Sequence, residues 1–291
     1  MTPFQPFSIN ICGQLLEISR PQIMGIVNVT PDSFYAESRT MTCDDIKRRV
    51  KQMMHDGADM LDVGAYSSRP GAGDVTPEEE CERLATGLKA LREVAGNAIP
   101  VSIDTFRASV AREAITNMHA DIINDISGGD LDADMFATVA DLQCPYILMH
   151  MRGTPGTMQQ LCDYSDHGND VTAGVIGELS GKISRLRLMG VDDVIVDPGF
   201  GFSKSTEQNY ELMRNIGAIG TAFNAPILVG VSRKSMIWRT LNITPADALN
   251  GTTALNTIAL LNGASILRVH DVAEAKQALT IVQNTYPDII S

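Results

Sequence analysis

Residues 23–29 read IMGIVNV, a short apolar run that reaches Asn28 and then passes into TPDSF. Runs of the same kind recur along the chain: MLDVGA (60–65), IPVSID (99–104), DIINDIS (121–127), PYILMH (145–150), DVIVDPG (193–199), PILVGVS (226–232) and SILRVH (265–270). Such nearly continuous apolar runs are typical of parallel strands that are buried on both faces. The sequence therefore predicts eight parallel strands.

Helix signals lie between these strands. Residues 76–79, TPEE, place a Thr N-cap before Pro at the first helical position, and Gly96 predicts the end of that helix. Its apolar stripe consists of Cys81, Leu84, Leu88 and Leu91. Capping-box spacing also predicts helix starts at Ser205–Gln208 and Asp271–Glu274. Strands and helices thus alternate along most of the chain.

Eight strand-helix units in a chain of 291 residues predict an α/β fold of the closed (β/α)8 or TIM-barrel type. A doubly wound open sheet is the structural alternative. Residues 7–19 alternate in polarity around a Cys12–Gly13 turn, which predicts an N-terminal β-hairpin that covers the bottom of the barrel. Because no linker divides the chain, we expect a single domain over residues 1–291.

Composition restricts the partners. With 44% hydrophobic and 20% charged residues, the chain is globular, and its net charge of −12 argues against nucleic acid and anionic membranes as partners. An anionic ligand would need a local basic pocket. The N-terminus lacks signal-peptide features, and no run approaches the roughly 20 apolar residues of a membrane span. Five scattered cysteines suggest reduced thiols, so we expect a cytoplasmic protein.

Polar side chains gather where the predicted strands end. They are Asn28, Asp104, Asn124, Asp125, His150, Asp197, Lys234, Arg268 and His270, with Arg69 on the loop after the second strand. Any one of them could be a cap or a turn former. In a parallel barrel, however, the carboxyl ends of the strands meet in one ring, where active sites are built. Their convergence predicts a functional site at this end, which we call the barrel mouth.

The mouth divides into two chemical halves. Asp104, Asn124 and Asp197 offer acceptors for a planar heterocycle with several adjacent N–H donors, and Lys234 offers a donor to its carbonyl or ring nitrogen. Arg69, Arg268 and His270 form a basic cluster, and the last two precede a helix N-terminus that favours an anion. The sequence predicts a site for a heterocycle joined to an anionic group.

Taken together, six motifs resemble the dihydropteroate synthase family, the folate-pathway enzymes that sulfonamides inhibit. The motifs are MGIVNVTPDSF (24–34), IDTFR (103–107), INDISGG (123–129), DPGFGFSK (197–204), GVSRKS (230–235) and LRVHDV (267–272). The resemblance implies condensation of (7,8-dihydropterin-6-yl)methyl diphosphate with 4-aminobenzoate to give 7,8-dihydropteroate and diphosphate. It also implies a homodimer that forms through late helices.

The resemblance assigns roles position by position. Pterin binding falls to Asp104, Asn124, Met149, Asp197, Phe202, Gly230 and Lys234. Diphosphate binding falls to Asn28, Ser68, Arg69, Arg268 and His270, and Asn28 also resembles the ligand of a Mg²⁺ ion. The 4-aminobenzoate side comprises Phe34, Ser68, Arg69, Pro70, Phe202 and Ser235. The catalytic group comprises Asp104, Arg69, Lys234, Arg268 and His270.

Two loops depart from the family pattern. Where a Ser-Asp-Gly-Gly run is common, this chain has Tyr35–Ser38, and in the second loop Tyr66 stands where the family usually has Glu, while the Arg69–Pro70 core and a hydroxyl are kept. Two other functions therefore remain open: a pterin-binding methyltransferase that serves a corrinoid protein, against which SRKS and RVHD argue, and a pterin-binding paralogue without catalysis. Product formation from both substrates would distinguish the three.

Overall fold

A computed structural model describes residues 1–30, 42–66 and 75–290. The hairpin strands are β1 (Phe7–Ile11) and β2 (Gln14–Ile18). The parallel strands are β3 (Gln22–Asn28), β4 (Met60–Gly64), β5 (Val101–Asp104), β6 (Ile122–Asp125), β7 (Tyr146–Met149), β8 (Val194–Asp197), β9 (Leu228–Val229) and β10 (Ile266–Val269). Each parallel strand lies within a predicted run, except that β3 begins one residue earlier.

The parallel strands form one eight-stranded sheet in the order β8-β7-β6-β5-β4-β3-β10-β9. A parallel bridge between Val196 and Ile227 joins β8 to the segment before β9, and Val196 N donates to Pro226 O at 2.9 Å. This contact brings the two edges of the sheet together. The barrel prediction is confirmed, and the open-sheet alternative is wrong.

Helices pack outside the barrel. They are α1 (Cys43–His55), α2 (Pro77–Ala95), α3 (Ala108–Asn117), α4 (Met135–Leu142), α5 (Val171–Leu188), α6 (Thr206–Phe223), α7 (Ser235–Leu241), α8 (Leu249–Leu261), α9 (Val272–Thr285) and α10 (Pro287–Ile290). Within the described ranges, every helix is too short or too polar to serve as a membrane span.

The predicted helix caps have two outcomes. Thr76 and Ser205 accept from the backbone N–H three residues on, and Gln208 completes a reciprocal box at Ser205. The box predicted at Asp271 does not form, although α9 begins at Val272. The Asp271 carboxylate instead accepts from Nε and Nη2 of Arg233, at 2.9 and 3.0 Å, because hydrogen bonds from a charged donor are stronger than those from a backbone N–H.

The hairpin covers the amino-terminal end of the barrel, as predicted. Ile9 and Ile18 pack with Phe4 against an apolar layer inside the barrel. That layer consists of Met24, Met60, Ile122, Ile147, Ile195, Leu228 and Ile266. Asn10 N also donates to Asp193 Oδ2 at 2.8 Å, which ties the hairpin to the start of β8. The hairpin therefore closes the end of the barrel that lies opposite the mouth.

Strand alternation places polar side chains above this layer. On β4, for example, Met60 lies in the apolar layer, Asp62 lies one step higher, and Leu61 and Val63 pack outward against the helices. Asp125 was predicted among the mouth residues, but it faces outward. Its carboxylate accepts from Ser127 N at 2.7 Å and from the Tyr146 hydroxyl at 2.7 Å, so it orders the loop after β6.

Candidate active site

Arg268 on β10 joins two carboxylates inside the barrel mouth. Its Nε lies 2.6 Å from Asp62 Oδ2, and its Nη2 lies 2.7 Å from Asp104 Oδ2. Asn124 Nδ2 donates to the same Asp62 oxygen at 3.2 Å. Asp104 and Asn124 occupy paired positions on β5 and β6. The structure thus brings together Asp104, Asn124 and Arg268 and adds Asp62.

Burial sets the charge states in this group. Burial raises the pKa of Asp104, the charge of Arg268 lowers it and the charge of Asp62 raises it, and together these effects place it at about 7. Burial also opposes the charge on Arg268, but Asp62 and Asp104 outweigh it, so the pKa of Arg268 is raised. Arg268 is therefore a cation whose charge two carboxylates already balance.

Asp197 and Lys234 form the second polar pair of the mouth. Asp197 Oδ1 accepts from Gly199 N at 2.8 Å. Burial raises the pKa of Asp197, while Lys234 and the Gly199 N–H act in the opposite direction. Lys234 Nζ donates to Phe200 O at 2.6 Å, and burial lowers its pKa to about 8. Either group can exchange a hydrogen bond with a buried heterocycle.

Apolar groups line the remaining side of the mouth. Met149 belongs to a cluster with Ile126, Met151 and Met158, against which Phe202 packs. Lys234 Nζ lies 4.9 Å from the centre of the Phe202 ring. At Gly230 a Cβ would lie 3.9 Å from both Arg268 Cβ and Lys234 Nζ, so glycine keeps the space between the two cations open. An apolar wall beside a row of acceptors suits a flat, polar-edged ring.

His270, Asn28 and Ser235 lie at the rim. His270 N donates to Ser232 Oγ at 3.2 Å, and its carbonyl accepts from Arg49 Nη2 at 2.5 Å. Burial and the nearby Arg268 charge lower the pKa of His270 to about 4. The prediction of a basic cluster needs correction here, because a neutral imidazole at pH 7 acts as a hydrogen-bonding group. Asn28 ends β3, and Ser235 is the first residue of α7.

Several predicted residues lie outside the described residues. They are Phe34, Ser68, Arg69 and Pro70, together with the altered segment 35–38. Tyr66, the altered residue of the second loop, lies within the described part of the chain. Its ring meets that of Phe106 edge to face, with centroids 5.1 Å apart, and the Arg107 guanidinium lies 5.4 Å from its centre. Tyr66 thus packs on the motif that follows β5.

Lys204 is a buried residue that the sequence analysis missed. Its Nζ contacts His150 Nδ1 at 2.9 Å, Gly199 O at 3.1 Å and Phe202 O at 3.0 Å. It therefore holds the loop after β8 against the end of β7, and that loop carries Phe202. Burial lowers the pKa of Lys204 to about 7 and that of His150 to about 4. A lysine inside DPGFGFSK was a usable signal, because a charged side chain in an apolar motif needs a partner.

Asp62 is the second missed residue. It lies inside the predicted strand MLDVGA and is fully buried, whereas the expected site residues lie at strand ends. A carboxylate in the middle of an apolar strand was the signal that could have identified it.

The comparisons with known proteins decide the family. The family model described as pterin binding enzyme matches residues 24–270. The chain belongs to the pterin-binding enzyme family. It is 39% identical to the dihydropteroate synthase of Escherichia coli K12 over 279 residues, which cover 94% of both chains. The predicted resemblance is thereby confirmed.

Solved structures of this family share the fold. The Yersinia pestis dihydropteroate synthase, solved with a sulfonamide drug, superposes with a TM-score of 0.88 at 35% identity over 97% of this chain and 100% of that one. The Xanthomonas albilineans enzyme, solved with 4-aminobenzoic acid, has a TM-score of 0.85 at 36% identity over 97% and 98% of the two chains. This pterin-binding enzyme therefore shares the complete barrel of those two proteins.

Proposed function

We propose that this pterin-binding enzyme is a dihydropteroate synthase. It would join (7,8-dihydropterin-6-yl)methyl diphosphate to 4-aminobenzoate and release 7,8-dihydropteroate and diphosphate. The observation that carries the proposal is the contact between Arg268 and Asp104. It places the acceptors that would bind the heterocycle next to the cation that would bind its leaving group. The relatives' names and the 4-aminobenzoic acid bound to one of them support it.

The pterin ring would lie between the polar and the apolar walls. The Asn124 amide nitrogen is held by Asp62, so its oxygen is available to accept a ring N–H. One oxygen of Asp197 is occupied by Gly199 N, and the other would accept from the amino-pyrimidine edge. Lys234 would donate to the ring carbonyl or to a ring nitrogen. Met149, Phe202 and Gly230 would flank the ring faces.

The reaction is a displacement at the exocyclic methylene. As the C–O bond to diphosphate breaks, negative charge grows on the leaving group and positive charge spreads into the pterin. Arg268 would stabilise the diphosphate, which would also accept hydrogen bonds from Arg69 and His270. Asp104 would stabilise the pterin cation. The aniline nitrogen forms the new C–N bond and loses its proton to solvent, and its own nucleophilicity makes a strong general base unnecessary.

The oxygen donors at the mouth fit a Mg²⁺ ion. A Cβ at Gly64 would lie 3.7 Å from Asn28 Oδ1 and 3.8 Å from Asp104 Oδ2, so an amide and a carboxylate oxygen flank this glycine. Magnesium takes one or two protein oxygens together with substrate phosphates. We infer that Asn28 holds the ion, which would supply positive charge to the departing diphosphate.

The 4-aminobenzoate side would be formed by Phe34, Ser68, Arg69 and Pro70 with Phe202 and Ser235. Ser68 and Arg69 would also reach the diphosphate. We further propose a homodimer that forms through the late helices and a cytoplasmic location, on the strength of the family resemblance and the five thiols.

A coupled assay tests the function. Purified protein is incubated with Mg²⁺, the pterin diphosphate and 4-aminobenzoate, and pyrophosphate and 7,8-dihydropteroate are measured together. We expect the two products in equal amounts. Pterin binding without pyrophosphate release would favour the paralogue without catalysis, and transfer of a folate methyl group to a corrinoid would favour the methyltransferase.

A further inference from the structure

The carboxylate of Asp62 is the centre of a hydrogen-bond group beneath the mouth. Its Oδ2 accepts from Asn124 Nδ2 at 3.2 Å and from Arg268 Nε at 2.6 Å, and it lies 2.5 Å from Arg268 Nη2 in the same ion pair. The residue is fully buried on β4, between β3 and β5, whereas Asn124 lies on β6 and Arg268 on β10. One oxygen thus contacts two proposed substrate-binding side chains from different sides of the barrel.

We propose that Asp62 is a positioning residue that orients Asn124 and Arg268 for the substrate without touching it. The inference rests on the proposed function, since it concerns how the same site recognises a pterin diphosphate.

The first consequence concerns the amide of Asn124. An amide can present either its oxygen or its NH₂ to a ligand, and the two orientations have nearly the same shape. The carboxylate of Asp62 can only accept, so it selects the orientation in which the NH₂ points down and Oδ1 points to the mouth. Asp62 therefore makes Asn124 an acceptor, as a ring N–H requires.

The second consequence concerns Arg268. Its Nε and Nη2 are engaged by Asp62 and Asp104, and no described residue accepts a hydrogen bond from Nη1. A guanidinium held on one edge by two carboxylates presents a fixed group to an anion. Asp62 thus sets both the rotamer of Arg268 and the edge that remains for the diphosphate.

Fold stability does not account for Asp62. Its Oδ1 is buried and has no hydrogen-bond partner among the described residues. The same is true of Ser102 Oγ on the neighbouring strand. A buried carboxylate with an unpaired oxygen costs free energy, and an apolar side chain would fill the position at lower cost. Orientation of the two substrate-binding residues supplies the reason that packing does not.

The test compares Asp62→Leu, which removes the acceptor, with Ser102→Ala, a change at the paired interior position. Calorimetry measures two probes separately: the dihydropterin alcohol that lacks diphosphate, and inorganic pyrophosphate. We expect Asp62→Leu to weaken the pterin alcohol about 30-fold, because no acceptor then holds the amide of Asn124 in one orientation. Ser102→Ala should stay within about twofold of the original for both probes.

The conservative variant Asp62→Asn separates positioning from general damage. Its amide oxygen can take the place of Oδ2 and accept from both Asn124 Nδ2 and Arg268 Nε, while its NH₂ takes the place of Oδ1. We expect affinity for the pterin alcohol to stay within about fivefold of the original. This variant keeps the side-chain shape, so it also serves if Asp62→Leu prevents folding, which urea unfolding would report.

The outcomes are separable from those of the proposed function. Unchanged pterin affinity in Asp62→Leu, or a folded Asp62→Asn that binds as weakly as Asp62→Leu, would overturn the positioning role. Failure of the unmodified protein to release pyrophosphate would overturn the synthase proposal, while the calorimetric comparison would still report on Asp62.

Discussion

Replacing Asp197 with Asn should nearly abolish pterin binding. The carboxylate is buried, and its Oδ1 accepts from Gly199 N at 2.8 Å. In the variant, that N–H still needs an acceptor, so the amide oxygen must take the position of Oδ1. The NH₂ then necessarily points to the ring, where a pterin presents N–H donors.

The expected loss follows from these two changes. Removing a charge-assisted acceptor costs about 1.5–3 kcal/mol, and leaving a buried ring donor unpaired against the NH₂ costs about 1–3 kcal/mol. Because the two costs concern one contact and are not fully additive, we expect about 3–4 kcal/mol in total, which is roughly 10²- to 10³-fold in the dissociation constant.

Calorimetry with the dihydropterin alcohol measures this loss. The matched control is Asp193→Asn, at the opposite end of the same strand region, where the carboxylate accepts from Asn10 N at the bottom of the barrel. We expect the control to bind the pterin within twofold of the original protein. Near-original affinity in Asp197→Asn, with an unchanged urea midpoint, would remove Asp197 from the site and refute the reasoning.

Three further predictions concern the buried bases and the leaving group. Burial lowers the pKa of His150 from 6.5 to about 4, so the unfolded chain binds one proton more in that window. Stability should therefore rise from pH 4 to 6.5 by up to about 1.4 kcal/mol per pH unit, and urea unfolding of His150→Gln should show a shallower rise. Lys204→Met leaves two buried acceptors and one partly buried acceptor without their donor, and it should lower the free energy of unfolding by about 2–4 kcal/mol; an unchanged urea midpoint would contradict this. Pyrophosphate, which competes with Asp104 for Arg268, should raise the pKa of Asp104 above about 7 and take up a proton at pH 7. Calorimetry in buffers of different ionisation enthalpy should detect this uptake in the original protein but not in Asp104→Asn.

Local patterns were sufficient to predict the barrel. The strands, the hairpin and the caps at Thr76 and Ser205 depend on apolar runs and on neighbours within a few residues. The acceptors at Asp104, Asn124 and Asp197 followed from a topological rule, because parallel strands end at the same face. Where a distant partner competed, as Arg233 did for Asp271, local spacing failed.

The partners inside the mouth could not be predicted in the same way. Asp62 and Arg268 are 206 positions apart, and Lys204 and His150 are 54 apart. Their pairing depends on barrel registers that no local pattern specifies. The expectation that His270 is a cation is wrong for a similar reason, because burial lowers its pKa to about 4, and burial is a property of the folded chain.

The charges of the mouth would couple the binding of the two halves of the proposed substrate. Asp62 and Asp104 both pair with Arg268, so two buried carboxylates contact this one cation. An isolated diphosphate therefore meets a cation that is already neutralised, and it must compete with Asp104 for Arg268. A pterin that draws Asp104 toward its developing positive charge loosens that pair and exposes Arg268 to the leaving group. As the C–O bond breaks, Arg268 would thus exchange its contact with Asp104 for one with the diphosphate. Recognition of the heterocycle would in this way be linked to departure of the leaving group.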